Sequence, residues 1–442
     1  MFFNQTTYST SNGPASVVLF DVNNDSNLDI AVANYNSNNI GILRNAGNGT
    51  FLTQVTYSTS VNPAGVATGD LNSDNKPDII VANYGSNNIG IFLNAGNGTF
   101  LSQIAYAVGT NPREVKIVDV NNDNKLDIIV ANQGSNTVGV LLNTGNGTFL
   151  NQMIYSIGSN PYSLAIADVN GDNTLDIIVA NQGSNTVSIL MNTANGTFAS
   201  QAIYSVGTFP TPIVAADVNG DNKCDMIVGN FISNNVGVLL NAGNGTLLTQ
   251  TTYPTGSNPR AVAVNDVNND NKLDIVVTNY GSTNIGVLIN AGNGTFLSET
   301  NYASGSSPIS VATGDVNNDN QLDIVVANYG SANFITYDID IALKDILNSI
   351  INLTKEQNNL IKNSLSLIGE LTFFVYFLAS FNSLSNVKSL LSLPNIVNYL
   401  TNSLYSIILS DDQSSSLLLI NQLCLALHSI VEIPTSSSSS ID

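Results

Sequence analysis

The chain has 442 residues and a formal net charge of −20, with 32 Asp and Glu against 12 Lys and Arg. Basic residues this few and scattered form no phosphate-binding stripe, which excludes nucleic acid as a partner. The two cysteines, Cys224 and Cys424, make no disulfide framework, and the single histidine, His428, stands far from every repeated motif.

At the start, Met1-Phe-Phe-Asn-Gln-Thr lacks the basic onset and apolar core of a signal peptide. Export by another route and a missing upstream exon are the two accounts of that. Phe2–Tyr8 aligns with Phe51–Tyr57, the fourth apolar segment of the repeat that follows, so it reads as a fourth strand without its first three. A nine-residue Asp-x-Asn-x-Asp-x-x-x-Asp motif then begins at Asp21, Asp70, Asp119, Asp168, Asp217, Asp266 and Asp315, each 49 residues after the last.

Each repeat carries four short apolar segments. In the fourth they are Ser163–Ala167, Ile177–Ala180, Val187–Met191 and Phe198–Tyr204, bounded by the acidic loop, Asn181-Gln-Gly-Ser-Asn, Asn192-Thr-Ala-Asn-Gly-Thr and Ser205-Val-Gly-Thr. Four strands per repeat, seven times over, predict an all-β seven-bladed β-propeller of four-stranded blades, because closing the ring removes exposed sheet edges. Repeat seven supplies strands near Ile309–Thr313, Ile324–Ala327 and Phe334–Tyr337 but no fourth, so the N-terminal strand is expected to complete the last blade. This places the propeller at residues 1–337.

Beyond Asp338 the composition shifts to Leu, Ser, Asn and Ile. Ile339, Leu343, Ile346, Leu347, Ile350 and Leu353 fall at helical spacing, and residues 338–434 are expected to form an α-helical C-terminal region. Leu371–Phe381 is too short to span a bilayer by the criterion of about 20 residues, so a helical bundle is favoured over membrane contact. The Ser-rich stretch 435–442 reads as disordered.

Three carboxylates and one carboxamide within nine residues repel one another unless a cation lies between them. Oxygen-only ligands on a flexible loop, with a backbone carbonyl at loop position 7, suit calcium better than magnesium. An EF-hand is excluded by context, since position 12 is apolar (Val32, Val81, Val130) and both flanks are strand-like. Loop position 6 needs a left-handed backbone; it is Ser26 in the first copy and Asn in the others, a residue that tolerates that conformation. Position 8 packs inward, which makes Cys224 a small core residue.

At these loops and the Asn-Gly-Thr-Phe turns, residues 2–337 closely resemble the FG-GAP (VCBS-type) repeats, which build the seven-bladed propeller of integrin alpha subunits and many secreted adhesion proteins. The resemblance implies up to seven Ca2+ ions, each held by positions 1, 3, 5 and 9 and the position 7 carbonyl. The side-chain ligands it implies are Asp21, Asn23, Asp25 and Asp29; Asp70, Asn72, Asp74 and Asp78; Asp119, Asn121, Asp123 and Asp127; and Asp168, Asn170, Asp172 and Asp176. The last three sites would use Asp217, Asn219, Asp221 and Asp225; Asp266, Asn268, Asp270 and Asp274; and Asp315, Asn317, Asp319 and Asp323. Family loops usually carry Gly at position 6. The family also implies an extracellular or cell-surface location.

No Ser–His or Cys–His arrangement is available in the propeller, so no catalytic residue is expected and the chain reads as a binding module, not an enzyme. Lys76, Lys125, Lys223 and Lys272, at loop position 7, are expected to face solvent, which disfavours a polysaccharide-acting enzyme. The face opposite the loops carries Tyr35, Tyr84, Gln133, Gln182, Phe231, Tyr280 and Tyr329 at matched positions. Aromatic rings beside amides suit a protein or glycan ligand, with packing between blades as the plainer role. An adhesion surface for a protein is the leading reading and a lectin with equivalent sugar pockets the alternative. Asn48, Asn97, Asn146, Asn195, Asn244 and Asn293 match a glycosylation acceptor and also an Asn-Gly turn; the turn is favoured. Blade five departs from the pattern with Phe209, Phe231 and Ile232, a candidate apolar patch.

Overall fold

The run after each acidic loop, such as Asp176-Ile-Ile-Val-Ala-Asn, is apolar at successive positions, so a strand made from it needs cover on both faces. The computed structural model describes residues Phe2–Ile339 and meets that requirement. They form seven four-stranded antiparallel sheets and, among the described residues, no helix. The second strand of every blade is buried along its whole length. In blade one, Ile30 and Val32 pack toward blade seven while Ala31 and Ala33 pack toward blade two. Each of the seven apolar clusters joins two adjacent blades, so the core is a set of inter-blade seams.

Blade one comprises Pro14–Phe20, Asp29–Asn34, Asn39–Leu43 and Val55–Ser58, and the next five repeat this order. First strands of neighbouring blades touch all the way round, so they line the axis. The fourth strands, largely exposed, form the rim. In blade four the fourth strand is Ala202–Ser205, shorter than the expected Phe198–Tyr204. Phe198 makes only an isolated bridge to Asn192, because its ring turns inward, edge-on to Tyr155 at 5.5 Å, and is 8% exposed.

Blade seven closes as expected. Phe2–Ser9 pairs antiparallel with Asn333–Ile339 and lies outermost in that sheet. The pairing continues through Asn4↔Asp338 and Phe2↔Ile339, so the propeller extends two residues beyond the expected limit. The expected helical region, the Ser-rich end and the membrane contact weighed for the tail otherwise lie outside the described residues.

A repeated asparagine bolts six of the seven blades to the one before it. Asn94 Nδ2 of blade two donates to the Val22 carbonyl of blade one at 2.9 Å and to its own blade's Pro77 carbonyl at 3.0 Å. Asn143, Asn192, Asn241 and Asn290 do the same, and Asn45 reaches Val316 at 2.6 Å across the ring closure. The 49-residue step from Asn290 arrives at Ile339, so the seam between blades six and seven lacks this amide. Gln5 Nε2 and Tyr337 Oη serve that seam instead, both donating to the Ala303 carbonyl.

Removing residues 2–9 should leave blade seven with three strands and an open edge. Size-exclusion chromatography is expected to show dimers or aggregates and calorimetry a lower melting temperature. A monomer with an unchanged melt would mean that the ring does not depend on this strand.

Candidate functional site

Each acidic loop folds around its first aspartate. Asp21 Oδ1 accepts the Asp25 N–H at 3.0 Å and Oδ2 the Ser26 N–H at 2.6 Å. The pair recurs on Asp70, Asp119, Asp168, Asp217, Asp266 and Asp315. Ser26 and its six Asn equivalents at position 6 have φ between 60 and 67°, the left-handed conformation expected there. Position 4 is left-handed as well, from Asn269 at 56° to Gly220 at 78°, and sequence reasoning missed it. Asn or Gly at that position in six of the seven loops was the available signal.

Positions 3 and 5 stay on the loop surface. Asn72, Asn121, Asn170, Asn219 and Asn317 each accept the N–H two residues on. Asn23 Oδ1 is buried without a hydrogen-bond partner. Lys76, Lys125, Lys223 and Lys272 do not simply face solvent. They fold back onto the position 5 carboxylates at 3.1, 3.0, 3.4 and 3.5 Å, forming an ion pair within each loop. These pairs are partly exposed and contribute little stability. Where blade four has Thr174, hydrogen bonds from its hydroxyl, from Asn170 and from the Thr174 N–H hold Asp172 below the usual carboxylate range.

Position 9 behaves differently. Asp29, Asp78, Asp127, Asp176, Asp225 and Asp274 are fully buried, and Asp323 nearly so. Asp78 Oδ2 accepts the Leu71 N–H at 3.0 Å and Oδ1 the Asn94 N–H at 2.8 Å. This carboxylate therefore ties the loop to the turn between the third and fourth strands, a role sequence reasoning did not assign. Burial raises Asp78, Asp127 and Asp274 to about 6, against the lowering effect of those backbone hydrogen bonds and with help from the charges at positions 5 and 1. Asp323 rises to about 7, and its Oδ1 has no hydrogen-bond partner. Among the described residues, no three Asp, Glu, His or Cys side chains converge closely enough to form a metal centre as they stand.

The Asn-Gly-Thr turns share this face. Asn48 Oδ1 accepts the Thr50 N–H at 3.1 Å and its hydroxyl at 2.6 Å, closing the turn from within. Gly49 has φ +75°, and a Cβ there would stand 2.7 Å from Asn317 of the neighbouring loop, so no larger residue fits without a shift. Cys224, at position 8 of its loop, is a partly buried free thiol packed on the seam between blades four and five.

On the opposite face the seven matched residues form a girdle round the axis. Tyr35 and Tyr84 lie 6.2 Å apart, Gln133 Nε2 donates to Gln182 Oε1 at 3.3 Å, and Phe231 and Tyr280 lie 6.4 Å apart. Tyr329 Oη donates to Asn36 Oδ1 at 3.2 Å. Except for buried Gln182 they are half-buried, so they pack against neighbouring blades and still meet solvent. Blade five does form an apolar patch: Phe209 lies 5.8 Å from Phe231, and Ile232 is 54% exposed. Phe209 has φ 63°, at a position where blades two, three, four and six carry left-handed Asn.

Inside the girdle lies a cavity of about 350 Å³, lined by Ala15, Tyr35, Arg113, Phe231, Arg260, Tyr280, Ile309 and Tyr329. Arg113 and Arg260 follow the prolines that open the first strands of blades three and six, where blades one and two have Ala15 and Ala64. Neither arginine was singled out from sequence. The signal available was a charge at a repeat position that is uncharged in the other five blades.

Seven four-stranded sheets joined at equivalent seams, with all the acidic loops on one face, define a seven-bladed β-propeller. The chain belongs to the FG-GAP-like repeat family, which matches six times in tandem over residues 21–81, 70–130, 119–179, 168–228, 217–277 and 266–326. No curated protein matches the chain. Among solved structures, it is similar to BBS1N in complex with ARL6DN, with 13% identity, 77% of this chain and 96% of that chain covered, and a TM-score of 0.57. It is also similar to streptogramin B lyase, with 16% identity, 77% and 98% coverage and a TM-score of 0.55. A third is Kuenenia stuttgartiensis hydrazine synthase, at 14% identity, 75% and 97% coverage and a TM-score of 0.54. These likenesses establish the fold alone.

The buried aspartates set a pH dependence for the protein in chelator. A carboxyl whose folded pKa stands above its unfolded value stabilises the fold while protonated, and that contribution is lost as pH rises through the folded pKa. With folded values of about 6 and 7, the melting temperature in EDTA should fall as pH is raised from about 4 to above 7. Calorimetry across that interval checks this; a melting temperature that climbs would mean that these carboxylates enter the fold fully ionised at no cost.

Proposed function

We propose that this chain is a calcium-stabilised, non-catalytic recognition module that binds a protein ligand on the face opposite the acidic loops. The observation that carries the reading is the half-exposed aromatic girdle with Phe209 at its edge. A bulky residue in the left-handed region costs on the order of 1–3 kcal/mol, and such strain clusters at binding sites. Here it holds one ring against Phe231 and leaves Ile232 in solvent. A nearly seven-fold ring gains a single specific site most simply by altering one blade.

Calcium fits the chemistry of the loops, whose candidate ligands are all oxygens. Asn23 Oδ1, buried and unpartnered, is a carbonyl oxygen that a cation would satisfy. Asp at positions 1 and 5 and Asn at position 3 would hold the ion, and each oxygen of the position 9 aspartate keeps a lone pair beyond its backbone hydrogen bond. A bound cation would displace the lysines from position 5 and lower the pKa of the buried aspartates toward the usual carboxylate range. Exposed loops of this kind suit the weak affinities of extracellular modules, which supports an extracellular or cell-surface location.

In EDTA the melting temperature should drop and added calcium should restore it. Native mass spectrometry of Asp172→Ala should show one ion fewer than the wild type. An unchanged melt with no metal bound would refute structural calcium.

Arrays of proteins and of glycans probed with the propeller should give a protein signal that Phe209→Ala/Phe231→Ala abolishes without changing metal content. A glycan signal alone would make the module a lectin. Phe209→Asn should raise stability by about 1 kcal/mol, since Asn tolerates the left-handed backbone, while weakening binding. Equal or lower stability in that variant would show that Phe209 is not strained.

A further inference from the structure

Two arginines meet at the axis with no acid beside them. Arg113 and Arg260 place their guanidinium carbons 4.6 and 4.5 Å from the centre of the same ring, that of Tyr162. Arg113 Nη2 donates to Tyr162 Oη, and Arg260 also lies 5.5 Å from the Phe231 ring centre. Among the described residues neither arginine has a carboxylate within ion-pair distance, whereas Lys76, Lys116, Lys125, Lys223 and Lys272 each have one. Glu114, next in sequence to Arg113, is engaged by Lys116 at 2.7 Å and by the Leu164 N–H at 2.9 Å. Arg260 Nε is sealed from solvent and has no hydrogen-bond acceptor. Burial pushes the Arg260 guanidinium below its ordinary pKa, and the charge of Arg113 acts in the same direction.

An unpaired buried donor is costly, and two adjacent like charges more so. In a chain with a net charge of −20 this is a local concentration of positive charge that the protein's own described acids do not neutralise. Stacking on Tyr162 and Phe231 occupies the flat faces of the guanidinium groups and leaves their N–H edges for an acceptor, the arrangement that matches a carboxylate. Of the remaining walls, Tyr35, Tyr280 and Tyr329 carry hydroxyls, that of Tyr329 already donating to Asn36, while Ala15 and Ile309 are apolar and suit an aliphatic stem.

We propose that this axial cavity is a carboxylate site, and that an acidic side chain of the protein ligand enters it between Arg113 and Arg260. The assignment rests on the recognition role proposed above and gives it a chemistry: the ligand carries an Asp or Glu at the centre of its contact surface. The cavity of about 350 Å³ has room for an acidic side chain and is continuous, through Phe231, with the blade five patch.

The test uses the full chain and blocked amino acids at constant ionic strength. N-acetylglutamate amide should shift the Arg260 Nε–Hε resonance saturably and raise the melting temperature; N-acetylglutamine amide, its neutral counterpart, should do neither. Arg113→Gln and Arg260→Gln should each weaken the blocked glutamate at least tenfold, with metal content unchanged. Arg260→Gln should melt no lower than the wild type, because an uncompensated charge has been removed. An equal response to both compounds, or no response to either, overturns the proposal, and the wild-type titration decides this even if a variant fails to fold. Tighter binding of glucuronate or of inorganic phosphate overturns the assignment to a protein side chain. If a protein ligand is found and the Arg113→Gln/Arg260→Gln variant binds it equally well, this inference falls and the recognition role stands. If blocked glutamate binds while no protein ligand emerges, the cavity keeps its carboxylate and the recognition role falls.

Discussion

In six of the seven blades a carboxylate with no access to water accepts two backbone N–H groups, one from the loop beside it and one from an asparagine sixteen residues on. That asparagine's amide then crosses to a loop carbonyl of the preceding blade. The first bond fixes the loop on its own blade, and the second fixes one blade on another. Losing either side would leave a charged or polar group buried without a partner, which is more costly than the net worth of the bond itself. The acidic face is therefore a bonded collar around one end of the ring. The other end has blade-to-blade amide bonds of its own, such as Asn62 Nδ2 to the Tyr35 carbonyl, but, among the described residues, no buried carboxylate. It is where blade five departs from the pattern.

Much of this architecture was legible in the sequence. A 49-residue period that never slips, four apolar segments per period and an orphan strand at the start specify the ring and its closure. Left-handed backbone at Ser26 and its Asn equivalents followed from their position in the loop, with Asn a residue that tolerates it. Other features were not legible, for identifiable reasons. Asn94 stands in a run of turn-forming residues, so nothing local marks it as a bridge whose acceptor lies 72 residues away. Asp78 reads as a ligand because its spacing matches one, yet only burial shows that both its oxygens already serve the backbone. Phe198 looks like the start of a strand because aromatic residues favour strands; its ring is worth more against Tyr155.

The axial cavity was hidden for a different reason. Its residues come from blades distant in sequence, and only the ring brings Arg113, Tyr162 and Arg260 to one point. Seven-fold regularity is what makes those exceptions informative. On a scaffold whose equivalent positions are nearly interchangeable, a residue that differs from its six counterparts has escaped the packing that holds the others alike. Phe209 is such a residue, and Arg260 faces the same end of the ring from a position where only Arg113 matches it and the other blades carry no charge.

The clasp in blade seven has a consequence for the order of events during synthesis. Thr6 and Thr336 meet across 330 residues of chain. At ribosomal rates the N-terminal strand waits on the order of tens of seconds for its partner to be made. Every other fourth strand follows its own third strand at once, and the short loop favours that local pairing over any exchange with the waiting segment. The growing chain is therefore an open arc of blades, already carrying most of its acidic loops, before it becomes a ring. Ring closure is its last step, and until then the arc presents an unpaired edge on which a second nascent copy could dock.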